Sequence, residues 1–179
     1  TEYLIELTSA PAKYVFRPNF WPNTPDILPE YLQFDSRQAF ITRLVLAATL
    51  SSNYGIYGPA YELMQNRALP GREEYEASEK YEIKHWDWRA PNSLIELISI
   101  VNSIRLENKA LQQTNNLRFL EIENEYLLAY MKWNNDHSNT VVVIVNLDPF
   151  HKHGGYLSLP LEEIGVELNQ SYLIRDLLS

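Results

Sequence analysis

The chain has 179 residues, of which 45% are hydrophobic, 12% aromatic and 21% charged, and this composition suits one globular domain or two small ones with a sizeable core. A net charge of −8 argues against nucleic acid or an anionic membrane as a partner. The absence of cysteine excludes disulfides, thiolate metal ligands and cysteine nucleophiles, and it favours a cytoplasmic location.

The two ends of the chain carry no targeting pattern. The longest apolar runs, at residues 44–48 and 141–145, are far too short to cross a bilayer, and residues 1–6 lack the cationic and apolar pattern of a signal peptide. The chain begins at Thr1, and its last residues follow directly on a strand-like stretch. We therefore expect it to be a piece of a longer protein.

The first part of the chain is predicted to alternate strands and helices. Residues 1–7 fit a short helix or a strand, and residues 13–16 are expected to form a buried strand. Residues 37–50 are predicted to form a helix, because apolar side chains recur there at helical spacing. Either Asp35 or Ser36 can cap its N-terminus.

A second strand and a second helix are predicted further along. Residues 51–59 contain a short strand and glycines that suit a turn or a close approach of the backbone. Residues 63–91 are expected to form a long polar loop, and a loop of this length inside a compact domain is usually functional. Ser93 and Glu96 have the spacing of a capping box, so we expect a helix to open there and to end near residue 107.

The last part of the chain is predicted to be antiparallel β structure. Residues 117–122 and 126–133 flank a short polar stretch and are expected to pair as a hairpin. Residues 140–145 form an unbroken β-branched run, which favours a central, buried strand. Residues 155–159 and 172–174 are expected to add short strands.

This order of elements predicts an α/β part followed by an all-β part. In a (β/α)8 barrel the functional groups lie on the loops after the strands, and the predicted loops of the first part have that position. We predict that residues 1–110 are the last two β/α units of a TIM-type barrel, whose other units lie outside this chain. We predict that residues 111–179 form a C-terminal antiparallel β-sandwich.

The loop at residues 16–26 is the most informative local feature of the first part. Its three prolines fix backbone angles, so the loop is stiff, and it ends on the carboxylate of Asp26. A stiff aromatic loop that holds one acid is suited to a polar ligand such as a sugar, although an ordinary proline-rich connection has the same pattern. Asn23 is expected to hydrogen-bond within this loop as an Asx turn.

Histidines and tryptophans have patterns that leave their roles open. His151 and His153 are separated by one residue, but no third ligand is placed beside them, so a surface loop is favoured over a metal site. Trp21, Trp86 and Trp88 can stack on sugar rings or pack in the core. No metal and no cofactor are expected.

Three blocks of sequence resemble one enzyme family. Residues 16–26 read FRPNFWPNTPD, residues 46–59 read LAATLSSNYGIYGP, and residues 78–87 read SEKYEIKHWD. In this order they resemble the α-1,4-glucan:maltose-1-phosphate maltosyltransferases, which are members of the α-amylase superfamily (glycoside hydrolase family 13 type). The resemblance covers residues 14–112, and the rest of the chain fits the family's C-terminal β domain more loosely.

The resemblance implies an activity and a set of site residues. Such enzymes transfer maltosyl units from α-maltose 1-phosphate to the non-reducing end of an α-1,4-glucan with retention of configuration, and the full-length protein is expected to be a homodimer. The resemblance implies that Asp26 stabilises the oxocarbenium-like transition state and that Lys80 and Tyr81 line the maltose-binding subsites. A carboxylate near developing positive charge fits that chemistry. The nucleophile and the acid/base residue lie outside this chain, so the chain alone is expected to be inactive.

Two other functions fit the same residues. One is a different enzyme of the α-amylase superfamily, either a hydrolase or a phosphorylase. The other is a glucan-binding or interaction module without catalytic activity, in which the exposed edge of the barrel part and the β domain are the binding surfaces.

Overall fold

The computed structural model describes residues 2–164, 166–167 and 169–178. The longest helix in these ranges has 14 residues, and none of the helices there is long and apolar enough to cross a membrane. The α-helices, in chain order, are α1 (Glu2–Thr8), α2 (Ala12–Val15), α3 (Glu30–Gln33), α4 (Arg37–Leu50), α5 (Gly58–Glu62) and α6 (Ile95–Glu107). The strands are β1 (Asn19–Phe20), β2 (Asn53–Tyr54), β3 (Leu117–Leu120), β4 (Leu127–Trp133) and β5 (Thr140–Asn146), and 3₁₀ turns cover Lys109–Gln112 and Leu161–Ile164.

Strands β1 and β2 pair in parallel and are connected through helix α4. Asn19 lies opposite Asn53, and Phe20 lies opposite Tyr54. A parallel pair needs a crossover connection, and helix α4, which precedes β2, supplies it. The structure thus has two parallel strands joined through a helix, but β1 lies within the stretch that was predicted to be the loop after the first strand.

The strand predicted at residues 13–16 is wrong, because this stretch belongs to helix α2. Its backbone makes helical bonds, since the Phe16 N–H donates to the Ala12 carbonyl over 2.9 Å. Tyr14 and Val15 are 69% and 74% exposed rather than buried. A short apolar run does not by itself distinguish a strand from a helix. The ambiguous N-terminal stretch also forms a helix, α1.

Helix α4 agrees with its predicted bounds and lies between two hydrophobic clusters. Phe40 and Leu44 pack into one cluster with Tyr61. Val45 packs into the other with Tyr130. A helix with buried positions on most of its circumference is a core helix, so α4 is the element around which the rest is arranged.

Helix α6 forms where predicted, but the capping box does not. The helix begins at Ile95, and no side-chain cap bond is made at its start. Leu94 is fully buried, and its N–H donates to the Glu62 carbonyl over 2.7 Å, so packing fixes the entry of the chain into the helix. The Ser93 carbonyl instead accepts a bond from Arg37. Tertiary contacts here replace a local cap.

The second half forms an antiparallel sheet with the order β3-β4-β5. The predicted hairpin is confirmed, with Leu117 opposite Lys132 in β3 and β4. The prediction of a central, fully buried strand at residues 140–145 is wrong, because β5 is at the edge of this three-stranded sheet. Its burial alternates, so that Val143 is buried while Ile144 is 54% exposed. One face of β5 packs toward α4 and the other does not.

The additional strands predicted at residues 155–159 and 172–174 do not form in the described part of the chain. Leu157 makes a single isolated bridge to Ile122. Leu173 and Ile174 are 94% and 88% exposed. Among the described residues after 110, β3, β4 and β5 form the only sheet, so the predicted sandwich is not seen there. Apolar composition alone does not create a strand without a partner to pair with.

Candidate functional site

The candidate site lies on the loops that follow β1 and β2. The carboxyl ends of two parallel strands meet at one edge of a sheet, so the chain after Phe20 and the chain after Tyr54 emerge together. The long loop between α5 and α6 contributes the third part of the site. It contains a single bridge between Ala68 and Tyr75 and is otherwise irregular, as predicted.

Asp26 is held at the corner of a tight turn. The Thr24 N–H donates to the Ile27 carbonyl over 3.1 Å, and the Ile27 N–H donates back to the Thr24 carbonyl over 3.3 Å and to its hydroxyl over 3.1 Å. Pro25 and Asp26 are thereby placed at the tip. The Asp26 side chain is 68% exposed, so its carboxylate faces solvent and is free to accept bonds from a ligand.

Lys80 and Tyr81 follow a buried serine that folds the long loop back on itself. The Lys80 N–H donates to the Ser78 hydroxyl over 3.2 Å, and the Tyr81 N–H donates to the Ser78 carbonyl over 3.0 Å. Ser78 is only 9% exposed, whereas the Tyr81 ring is 74% exposed. The turn therefore presents the two following side chains outward.

The structure brings together the three residues predicted for the site. Lys80 Nζ lies 3.5 Å from Asp26 Oδ1 and 5.4 Å from the centre of the Tyr81 ring. Tyr81, and after it Asp26, raise the pKa of the Lys80 ammonium. The cluster offers acceptor oxygens, ammonium donors and an aromatic face side by side, which is a suitable set for the hydroxyls and C–H faces of a sugar.

Asn23 connects the loops after β1 and β2 and does not form the Asx turn that was predicted for it. It is 1% exposed, and its Nδ2 donates to the Tyr57 carbonyl over 3.2 Å and to the Tyr75 hydroxyl over 2.9 Å. Its Oδ1 accepts the Tyr57 N–H over 3.0 Å. A buried amide that makes several bonds fixes the backbone on both sides, so Asn23 anchors the Asp26 loop.

Glu79 is a residue of this site for which the sequence gives no local signal. The Tyr57 hydroxyl donates to its Oε2, and Trp86 Nε1 donates to its Oε1 over 3.0 Å. These bonds, first from Tyr57 and then from Trp86, lower the pKa of the Glu79 carboxyl. Burial, and then the Glu79 carboxylate, raise the pKa of the Tyr57 phenol. The only hint in the sequence is its position next to Lys80.

The three tryptophans have different environments. Trp21 is 44% exposed, and its ring lies on Gly55, where an added Cβ would be 2.5 Å from the ring. Trp86 is partly buried and packs against the cluster around α4, while Trp88 is 55% exposed. Trp86 is thus a packing residue. Because Gly55 has no side chain, the Trp21 ring can lie against the backbone that follows β2.

The histidine pair lies on the loop after β5 and shares one carboxylate. Asp148 Oδ2 is 2.9 Å from His151 Nδ1 and 2.8 Å from His153 Nε2. These contacts, with His153 first, and the Phe150 N–H lower the pKa of the Asp148 carboxyl. Across the described ranges, no group of three or more histidine, aspartate or glutamate side chains is arranged to hold a metal ion.

Comparison with known proteins shows which proteins this chain is similar to. Residues 119–179 match the family model described as "GLGE, C-terminal". The chain is 50% identical over 184 aligned residues to the alpha-1,4-glucan:maltose-1-phosphate maltosyltransferase of Chlorobaculum tepidum. This alignment covers 99% of the chain and 28% of the relative. It is 51% identical to the protein of the same name from Methylacidiphilum infernorum, over 99% of this chain and 26% of the relative.

A third relative of that name, from Rhodospirillum rubrum, is 50% identical over 100% of this chain and 26% of its own length. The chain thus spans about a quarter of the length of the curated relatives it matches. The resemblance drawn from the three sequence blocks is confirmed, and it extends over nearly the whole chain. The chain is therefore similar to the C-terminal part of α-1,4-glucan:maltose-1-phosphate maltosyltransferases.

Proposed function

We propose that the protein containing this chain is a retaining maltosyltransferase. It transfers maltosyl units from α-maltose 1-phosphate to the non-reducing end of an α-1,4-glucan and releases phosphate. The observation that carries the proposal is the convergence of Asp26, Lys80 and Tyr81 at the ends of two parallel strands. This convergence occurs in a chain half identical to proteins named for that reaction.

The proposal includes the architecture expected of such an enzyme. The β1-α4-β2 unit, with α6 packed on α4, is what two consecutive units of a (β/α)8 barrel require. Residues 1–110 are then the last part of a catalytic barrel, and residues 111–179 belong to a C-terminal β domain. The homodimer and the cytoplasmic location expected for the full-length protein also remain predictions.

The proposed chemistry assigns this chain to the binding of the donor sugar. In the first step the bond between the sugar C1 and the phosphate oxygen breaks, the acid/base residue outside this chain gives its proton to the leaving phosphate, and a carboxylate from outside this chain bonds to C1. In the second step the 4-hydroxyl of the acceptor glucan displaces that carboxylate and loses its proton to the acid/base residue. Positive charge develops on the sugar ring in both transition states, so Asp26 acts most strongly there. Lys80 and Tyr81 hold the hydroxyls and a face of the maltosyl unit.

The substitution Asp26→Asn tests this assignment in the full-length protein. The amide has the shape of the carboxylate but not its charge, so kcat should fall by roughly 10²-fold or more while KM for α-maltose 1-phosphate changes by only about threefold. Asp35→Asn is a matched control, because Asp35 is an exposed residue between the site loop and α4 that bonds to Asn66. Phosphate release in the presence of a maltooligosaccharide is the measurement. Turnover by Asp26→Asn close to that of the unsubstituted protein would contradict the assigned role.

A further inference from the structure

We propose that Glu79 is a positioning residue which, together with Tyr57, holds the Lys80–Tyr81 turn against the Asp26 loop. Its consequence for turnover rests on the function proposed above, but the positioning itself does not. The proposal depends on a closed series of contacts, called the circuit below. It links the Asp26 loop to Tyr57 through Asn23, links Tyr57 to Glu79, and returns from Lys80 to Asp26.

The ion pair between Lys80 and Asp26 is too weak to hold the Lys80–Tyr81 turn against the Asp26 turn. The Lys80 and Asp26 side chains are 53% and 68% exposed, and their charged atoms are 3.5 Å apart. An exposed ion pair of this kind is screened by water and salt and adds little to the stability of a fold. Other contacts must therefore set the distance between the Lys80–Tyr81 turn and the Asp26 turn before a ligand binds.

The first part of the circuit is the anchor at Asn23. Its buried amide is bonded to both the N–H and the carbonyl of Tyr57, and Asn23 precedes the Asp26 turn by three residues. The Tyr57 ring lies edge-on to the Tyr75 ring at 6.0 Å between centres. The Tyr57 hydroxyl is thus fixed relative to Asp26 by its backbone and by its ring.

The second part of the circuit is the Glu79 carboxylate. One oxygen accepts the Tyr57 hydroxyl and the other accepts Trp86 Nε1 over 3.0 Å. Because both oxygens are bonded, the carboxylate has little freedom to rotate, and the backbone between Ser78 and Lys80 is held with it. Both bonds are exposed, so the attachment of the carboxylate at two points, rather than the strength of either bond, is what restrains it. The circuit then closes through the contact of Lys80 with Asp26.

Glu79 therefore has a different role from Lys80 and Tyr81. Lys80 and Tyr81 reach outward to a ligand, whereas Glu79 is turned back onto Tyr57 and Trp86. Loss of the Glu79 bonds would leave the donor-binding turn to be ordered by the substrate itself, which weakens binding. The Asp26 turn has its own bonds and its own anchor, so the chemical step should be affected less.

The test uses the full-length protein with α-maltose 1-phosphate as donor and maltohexaose as acceptor. Glu79→Gln places an amide N–H₂ where one oxygen now accepts, and Tyr57→Phe removes only the hydroxyl. Glu82→Gln is the matched control, because Glu82 lies on the same turn but pairs with Lys84 at 3.4 Å. We expect each single substitution at Glu79 or Tyr57 to raise KM for the donor about tenfold, with kcat within about threefold. The control should leave both constants unchanged.

Two further measurements separate positioning from direct contact. The double variant Glu79→Gln/Tyr57→Phe should be no worse than about the poorer single variant, because both changes break the same bond. Amide hydrogen exchange at residues 78–82 should be faster in both single variants than in the unsubstituted protein and the Glu82→Gln control. Unchanged exchange and unchanged KM in Glu79→Gln would overturn the proposal. Additive losses in KM with unchanged exchange would overturn it as well, because they would indicate that each residue contacts the donor directly.

The exchange measurement also separates this proposal from the proposed function. Faster exchange at residues 78–82 in the variants, in a protein that does not turn over maltose 1-phosphate, would support the positioning role and reject the maltosyltransferase assignment. Turnover of maltose 1-phosphate with exchange unaffected by Glu79→Gln would do the reverse.

Discussion

Replacing Lys132 by methionine should flatten the dependence of stability on pH above neutrality. Lys132 lies on β4 and is fully buried, and its Nζ donates to the Gln113 carbonyl over 2.6 Å. Burial, and then the charge of Arg105, lower the pKa of the Lys132 ammonium to about 7. A long cationic side chain buried on the inner face of the sheet is unusual and carries a cost while it is charged.

The sign and size of the effect follow from the two pKa values. In the unfolded chain the pKa of a lysine is about 10.4, so between pH 7 and that value the unfolded state binds a proton that the folded state does not. Stability therefore rises with pH in this range, by at most about 1.4 kcal/mol per pH unit. From pH 7 to pH 9 the gain through this one group is about 2 kcal/mol. Below pH 7 both states are protonated, and the dependence fades.

The assay is urea unfolding of the full chain at several values between pH 7 and 9, followed by circular dichroism. Lys132→Met keeps the bulk of the side chain and removes its charge and its bond to Gln113, and the lost bond is a constant offset of about 1 kcal/mol at every pH. Lys152→Met, at an exposed position, is the control and should follow the unsubstituted chain. Parallel stability curves for the unsubstituted chain and Lys132→Met over this range would refute the reasoning.

Two other substitutions test the packing around α4 and the site. Gly55→Ala should destabilise the chain by about 1–3 kcal/mol, because its Cβ would lie 2.5 Å from the Trp21 ring, and Trp21→Ala in the same background should recover much of that loss in urea unfolding. Thr49→Val should cost about 1–3 kcal/mol, because the buried Tyr130 hydroxyl would lose its partner; Thr49→Ser, which keeps the hydroxyl, should cost clearly less, and equal losses from the two would contradict this account.

The elements that could be predicted are those whose sequence pattern matches their own packing. Helix α4 follows from apolar residues at helical spacing, and the hairpin of β3 and β4 follows from two strand-like runs around a polar turn. Strand β1 could not be predicted, because two residues carry no period and their pairing depends on β2 far along the chain. The edge position of β5 was also missed. A strand that is apolar on both faces does not reveal whether both faces are packed against other elements or whether it pairs with one strand or two.

The residues of the candidate site likewise fall into those that could be predicted from the sequence and those that could not. Asp26, Lys80 and Tyr81 were predicted through the resemblance of short sequence blocks, and the structure adds that they converge. Glu79 and Tyr57 were not predicted, because their hydrogen bond joins residues 22 positions apart, across helix α5 and the long loop. Tertiary hydrogen bonds of this kind have no periodic signature, so only coordinates reveal them.

The predicted boundary near residue 110 separates a mostly helical part from a β-rich part, but side chains of the two parts pack against each other across it. Three bonds connect the stretch that leads from Asp26 into α4 with the segment that leaves β5. Tyr31 donates to the Leu147 carbonyl over 2.7 Å, Ser36 to the Pro149 carbonyl over 3.0 Å, and Thr42 to the Asn146 carbonyl over 3.0 Å.

These bonds have a direct consequence for the site. The loop that carries Asp26 is fixed at one end by Asn23 and at the other by the end of the sheet, so the sheet contributes to the position of a carboxylate it does not touch. Partly buried contacts that join two parts of a chain in this way couple their stabilities, because opening one part removes contacts of the other. We therefore expect the β-rich part to contribute to the geometry of the proposed donor site.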